Sequence, residues 1–133
     1  MAATHLGDVK NNVIKGSTTH ATLTGDIATN PTRAVNVTKG DGMVTLVFSF
    51  GTIHADSTGV YTIVESATGV DGTWTTAVGV GVSTLTVTTA DSNTVSLRSF
   101  VPTKPYVGVL CVVAGSTKSI VQSVVAIRAL KQT

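Results

Sequence analysis

The amino-acid sequence predicts an all-β protein, a β-sandwich of about eight antiparallel strands with an extended N-terminal arm. Three observations carry this reading. Val and Thr together make up about a third of the 133 residues, and both branch at Cβ, which suits a pleated strand better than a helix. No window sustains apolar residues at i, i+3, i+4 and i+7, so no amphipathic helix is expected. Short runs of alternating apolar and polar residues recur instead, punctuated by Gly, Asp, Asn and Pro.

The elements follow in chain order. Residues 1–30 are polar and rich in Thr and Asn, with isolated apolar residues such as Val13, Ile14, Leu23 and Ile27. They are expected to form an extended arm carrying at most a short strand, packed on the sandwich or on a neighbour. The single domain then spans residues 31–133. A short strand is expected at Ala34 to Thr38. Val44, Leu46, Phe48 and Phe50 alternate with Thr45, Val47 and Ser49 in the next. Val60 to Glu65 follows, closed by the turn Thr68-Gly69-Val70-Asp71-Gly72. Trp74, Thr76 and Val78 mark another strand, Leu85 with Val87 another, and Val95 with Leu97 another, before Pro102 and Pro105 interrupt pairing. Tyr106 to Val113 is apolar on both faces, as a central strand requires. Gly115-Ser116-Thr117-Lys118 reads as a hairpin loop leading into a final strand from Ile120 to Leu130.

Composition narrows the function by exclusion. With 42% hydrophobic and 12% charged residues, the chain is too apolar and too weakly charged to be disordered. Its longest nearly apolar stretch, Val107 to Ala114, falls far short of the roughly 20 residues of a membrane-spanning helix. Nine basic and seven acidic residues give a net charge of +2, and the basic ones stand singly along the chain. A nucleic-acid binder gathers them on one face or in a run, so no direct nucleic-acid contact and no membrane contact are expected. Met1-Ala2-Ala3-Thr4-His5 lacks the basic and apolar regions of a secretory signal, and the lone Cys111 permits no intrachain disulfide. Synthesis in a reducing cytoplasm is the expectation. A small domain with so little charge has little repulsion to keep copies apart, which points to an oligomer or an assembly.

Chemistry is sparse. Glu65 is the only glutamate, and nearly all the aspartates stand beside Gly, Ser or Thr, where the carboxylate ordinarily bonds nearby backbone. Glu65 ends a strand, where a solvated or hydrogen-bonded role is expected ahead of general-acid work. His5, His20 and His54 lack metal-ligand spacing, so no metal and no cofactor are expected. There is no G-x-S-x-G elbow, and Gly79-Val80-Gly81 lacks the lysine of a phosphate loop. No catalytic residue is assigned. Cys111, between Leu110 and Val112, reads as a small buried hydrophobe. Phe48, Tyr61, Trp74, Tyr106 and Cys111 are the expected core anchors. The aromatics also admit a second reading, in which Trp74 lines a sugar-binding face with Tyr61, Tyr106, Phe48, Phe50 and Phe100.

The stretch Gly59 to Ser66 ending in Glu-Ser, the turn after it, and Gly72-Thr73-Trp74-Thr75-Thr76 form a pattern. Val95 to Phe100, Lys104-Pro105-Tyr106-Val107 and the closing Ser123 to Leu130 extend it over roughly residues 43–130. The pattern resembles the jelly-roll capsid decoration, or cement, proteins of tailed bacteriophages. Gly108 stands where such proteins carry an arginine soon after the tyrosine. The resemblance implies a jelly-roll-like sandwich with no enzymatic activity, bound to the major capsid protein on the outside of the virion as a dimer or trimer. In that role Lys10, Ile14 and Lys15 of the arm are the expected capsid or oligomer contacts, because an arm can lie in a groove or extend a neighbouring sheet. Another virion sandwich, such as a head-fibre or tail component, and a carbohydrate-binding module are the alternatives.

Overall fold

The computed structural model describes residues 13–79, 81 and 84–131. Among these residues nine strands run in chain order: β1 (Val13–Leu23), β2 (Val35–Asn36), β3 (Gly40–Ile53), β4 (Thr58–Ser66), β5 (Thr75–Thr76), β6 (Leu85–Val87), β7 (Val95–Phe100), β8 (Tyr106–Ala114) and β9 (Ile120–Leu130). One 3-10 turn, Thr89–Asp91, precedes β7. Its N-terminus is closed reciprocally: the Thr88 hydroxyl accepts from the Ala90 amide and the Thr88 amide donates to Asp91.

The strands form two antiparallel sheets. One has the order β1-β9-β3-β7; the other has β2-β8-β4-β5, with β6 pairing the same β4 further along. Between them lies the apolar core, and the period of 2 decides which residues enter it. From β3, Val44, Leu46, Phe48 and Phe50 are all buried. From β8 come Val107, Val109, Cys111 and Val113, and from β9 come Ile120, Val124 and Ala126. Phe48 meets Tyr61 edge-on with centroids 5.3 Å apart, and Phe50 lies 5.9 Å from Tyr61. These contacts join the two sheets at their centre.

Residues 13–30 are integral to this architecture, a correction to the expected arm with at most a short strand. β1 is eleven residues long and pairs with β9 from Val13↔Ala129 to Leu23↔Ile120. Leu23 and Ile27 belong to the core, and the Ile27 amide and carbonyl exchange hydrogen bonds with Cys111. The polar composition of β1 hid it: a bulge between Ser17 and Thr19 breaks the alternation, and Thr18 and Thr19 are the residues it buries.

Two further expectations change. Gly115 to Lys118 makes no hairpin, because β8 and β9 lie in different sheets and this segment crosses between them. The Trp74-Thr76-Val78 strand shrinks to Thr75–Thr76, with Val78 80% exposed. The segment after it passes against the edge of β7. A side chain at Gly79 would collide with the Val101 carbonyl, and Gly81 adopts φ +90 over Ser99, a conformation open chiefly to glycine.

Candidate interaction surface

Antiparallel pairing lines up the outward residues of β1, β9, β3 and β7 in rows. Leu97, Val47, Val125 and Ser17 form one row across the sheet. Ser99, Thr45, Ile127 and Lys15 lie on one side of it; Val95, Ser49, Ser123 and His20 lie on the other. Val95 and Leu97 are 63% and 58% exposed, and Met43, Val101, Val121 and Ile127 are exposed as well. On β7, β3 and β9 the face thus carries branched apolar side chains interspersed with Ser and Thr, while β1 adds Lys15, Ser17 and His20. β7 brings its hydrophobes outward because the register that buries Phe100 opposite Val44 sets Val95 and Leu97 on the other side.

Among the described residues, formal charge enters this face only at one end. Lys15 projects outward on β1 beside Ile127, and Asp41 on β3 pairs with Ala129. The outward positions of β7 and β9 are Val, Leu, Ile, Ala and Ser. Unusually large contiguous exposed apolar patches mark contact surfaces, whereas scattered exposed hydrophobes need no explanation.

The expected contact residues separate. Ile14 is half-buried against the core and lines a hollow of about 410 Å³ with Asn36, Thr38, Lys39 and Leu130. Lys15, one residue on, is exposed on the opposite face, as the strand period demands. The two therefore cannot grip one partner surface together. Lys10 lies outside the described residues.

The expected anchors also divide. Phe48, Tyr61 and Cys111 are fully buried in the core. Trp74 and Tyr106 are half-buried and stand outside the core cluster. Tyr106 serves the turn instead, its ring packed where Gly69 leaves room. A sugar-binding platform built from these aromatics is not present, because Phe48, Phe50, Tyr61 and Phe100 are committed to the interior.

Among the described residues, the buried polar side chains are engaged in structural hydrogen bonds, Ser17 Oγ being the exception. Glu65, 1% exposed, accepts from the Thr103 amide at 2.6 Å and from its hydroxyl at 2.9 Å, strapping the β7–β8 connection to β4. The Tyr61 hydroxyl donates to Gln122 Oε1, and Gln122 Nε2 donates to Thr19 and to the Ala21 carbonyl. This chain of bonds ties β4 to β9 and β1 through the core. Asp41 and Asp91 bond nearby backbone as their turn contexts imply, whereas Asp26 reaches the Val113 amide at 2.7 Å. Burial pushes the Cys111 thiol up to about 12 and raises Tyr61 as well. At neutral pH the sulfur is therefore a thiol, not a nucleophilic thiolate.

The surface cleft beside β4 and β5 measures about 290 Å³ and is lined by Thr62, Thr76, Ala77, Val78 and Thr84 among others, with no titratable side chain among its lining residues. Among the described residues no three His, Cys, Asp or Glu side chains gather as a metal site. Comparison of the chain with known protein families, curated proteins and solved structures finds no match.

Proposed function

We propose that the chain is a non-enzymatic virion structural protein, a capsid decoration or cement protein. On this reading it binds the outer surface of a phage head as a dimer or trimer and reinforces contacts between major capsid proteins. The observation that carries the reading is a sheet face of Val, Leu, Ile, Ser and Thr side chains on β7, β3 and β9, with formal charge among the described residues only at one end, on a sandwich whose buried polar side chains are, Ser17 excepted, engaged in structural hydrogen bonds. Such a surface suits a clamp that works by area and shape, with many modest contacts acting together on one shell.

The strand order supports a jelly roll as the finer description. Successive strands alternate between the two sheets from β1 to β4 and again from β6 to β9. β5 and β6 share one edge of β4, so together they act as a single interrupted strand. Eight strands in two sheets result, the count of a jelly roll. The pattern across residues 43–130 that resembles phage decoration proteins adds the assignment to the shell exterior.

The test is co-sedimentation with purified heads of the phage that encodes the protein, before and after expansion. Saturable binding to expanded heads is expected. Absence of binding at micromolar protein would remove the decoration reading and make the glycan-binding alternative, through the half-buried Trp74, the next to examine.

A further inference from the structure

We propose that the Asp41-Gly42 step is a modification site, where the backbone isomerises to an isoaspartyl linkage, while the second Asp-Gly step, Asp71-Gly72, is protected. The inference is independent of the proposed function. The chain contains two Asp-Gly pairs, and these are they. Glycine favours the reaction twice. It puts no side chain beside the attacking nitrogen, and it permits the positive φ that both glycines adopt, +76 at Gly42 and +84 at Gly72. All four residues are exposed, and a side chain at either glycine would meet nothing within 4 Å. Residue type and space therefore do not separate the two steps. Hydrogen bonding does.

At the first step the Gly42 amide donates to the carboxylate of the preceding residue, Asp41 Oδ1, at 3.0 Å. The nitrogen that must attack and the carboxyl it attacks are already in contact, the arrangement in which an intramolecular reaction gains most from proximity. The step also lies at a register break of β3, between Asp41↔Ala129 and Val44↔Arg128, where the ladder is already interrupted. Arg128 holds the Gly42 carbonyl through Nε and Nη2, on the far side of Gly42 from the bond that forms. At the second step the Gly72 amide donates instead to Asn30 Oδ1 at 2.8 Å. The Thr73 amide and hydroxyl both donate to the Val70 carbonyl, closing the turn around Asp71. Ring closure there has to break the Asn30 bond and deform that turn first.

The chemistry needs no partner molecule except water. The Gly42 nitrogen bonds to Asp41 Cγ, and one carboxyl oxygen leaves as water with the amide proton and a proton from solvent. Water then adds to the ring at the main-chain carbonyl carbon of Asp41 and breaks its bond to nitrogen. The chain now runs through Cβ and Cγ, the former main-chain carbonyl carbon is a carboxylate, and a proton returns to solvent. Mass and charge are unchanged. The added methylene lies beside Arg128, which ties Gly42 to the Val37 carbonyl, at the charged end of the β1-β9-β3-β7 face.

Peptide mapping of the full chain tests this. Native protein is held for weeks at neutral pH, then unfolded and cut with an endoproteinase that cleaves before aspartate but not before isoaspartate. Loss of cleavage before Asp41 is expected to build up roughly ten times faster than loss before Asp71, with no change of mass in the intact protein. In chain kept unfolded in guanidinium chloride neither contact exists, and the two steps are expected to convert at similar rates. Asn30→Ala, which frees the Gly72 amide, is expected to speed conversion at Asp71 and leave Asp41 unchanged. Equal rates in the native protein, faster loss at Asp71, or intact cleavage before Asp41 over a period in which the unfolded chain converts would overturn the inference. A folded Asn30→Ala with no gain at Asp71 overturns it as well, because the bond to Asn30 is then not what protects the second step.

Discussion

Cys111 and Tyr61 sit opposite each other on β8 and β4, and both are held neutral by burial. Their folded-state pKa values lie above the ordinary 9.0 and 10.0, so the folded form binds protons that the unfolded form releases in alkali. Their contribution is fully present below about pH 9 and is lost as pH rises toward the folded values, at about 1.4 kcal/mol per pH unit for each group in its range. Chemical denaturation across this range is expected to show that decline. Cys111→Ala is expected to flatten the decline most at its onset near pH 9, since of the two groups the thiol has the lower unfolded value. Glu65 makes a different prediction. Glu65→Gln keeps an oxygen for the Thr103 amide and offers an NH2 that the Thr103 hydroxyl can accept, so its cost is expected to stay near or below about 1 kcal/mol. Glu65→Ala loses both bonds and is expected to cost about 1–3 kcal/mol in urea unfolding. Equal costs for the two variants would remove the strap from the account.

β1 shows why one element escaped the sequence while its neighbours did not. β3 alternates around Phe48, with Val44, Leu46, Phe48 and Phe50 inward, and β9 is a β-branched, apolar-rich run around Val124, and both patterns signal a strand. β1 buries Thr18 and Thr19 consecutively at a bulge, and its apolar residues Val13, Ile14, Ala21 and Leu23 follow no alternation, so no periodicity survives to be read. The same limit applies to sites. The alternation of Val95 and Leu97 marks β7 as a strand, but which side faces the core is fixed by pairing with Val44 and Val47, residues some 50 positions earlier. The outward apolar face was therefore illegible until β7, β3 and β9 were placed side by side. Trp74 illustrates the converse, an apolar residue that sequence places inside and the turn between β4 and β5 leaves half-exposed. Deleting residues 1–30 removes β1, Leu23 and Ile27, and the expected outcome is loss of cooperative thermal unfolding by circular dichroism. Deleting residues 1–12 leaves every described strand in place and is expected to retain it. A cooperative melt after the longer deletion would mean that β1 is dispensable.

For the whole molecule, the proposed role asks little of any one side chain and much of the assembled surface. A protein that binds only the intact shell stabilises it by RT ln(1 + [L]/Kd) at each site, roughly 2.7 kcal/mol when free protein exceeds Kd a hundredfold. Repeated over the many equivalent sites of a shell, a modest local affinity becomes a high barrier to rupture. The most direct measurement heats purified heads with and without saturating protein while DNA release is followed. The account predicts release at a higher temperature from decorated heads, with the shift growing as occupancy rises. Identical release temperatures at saturation would contradict it.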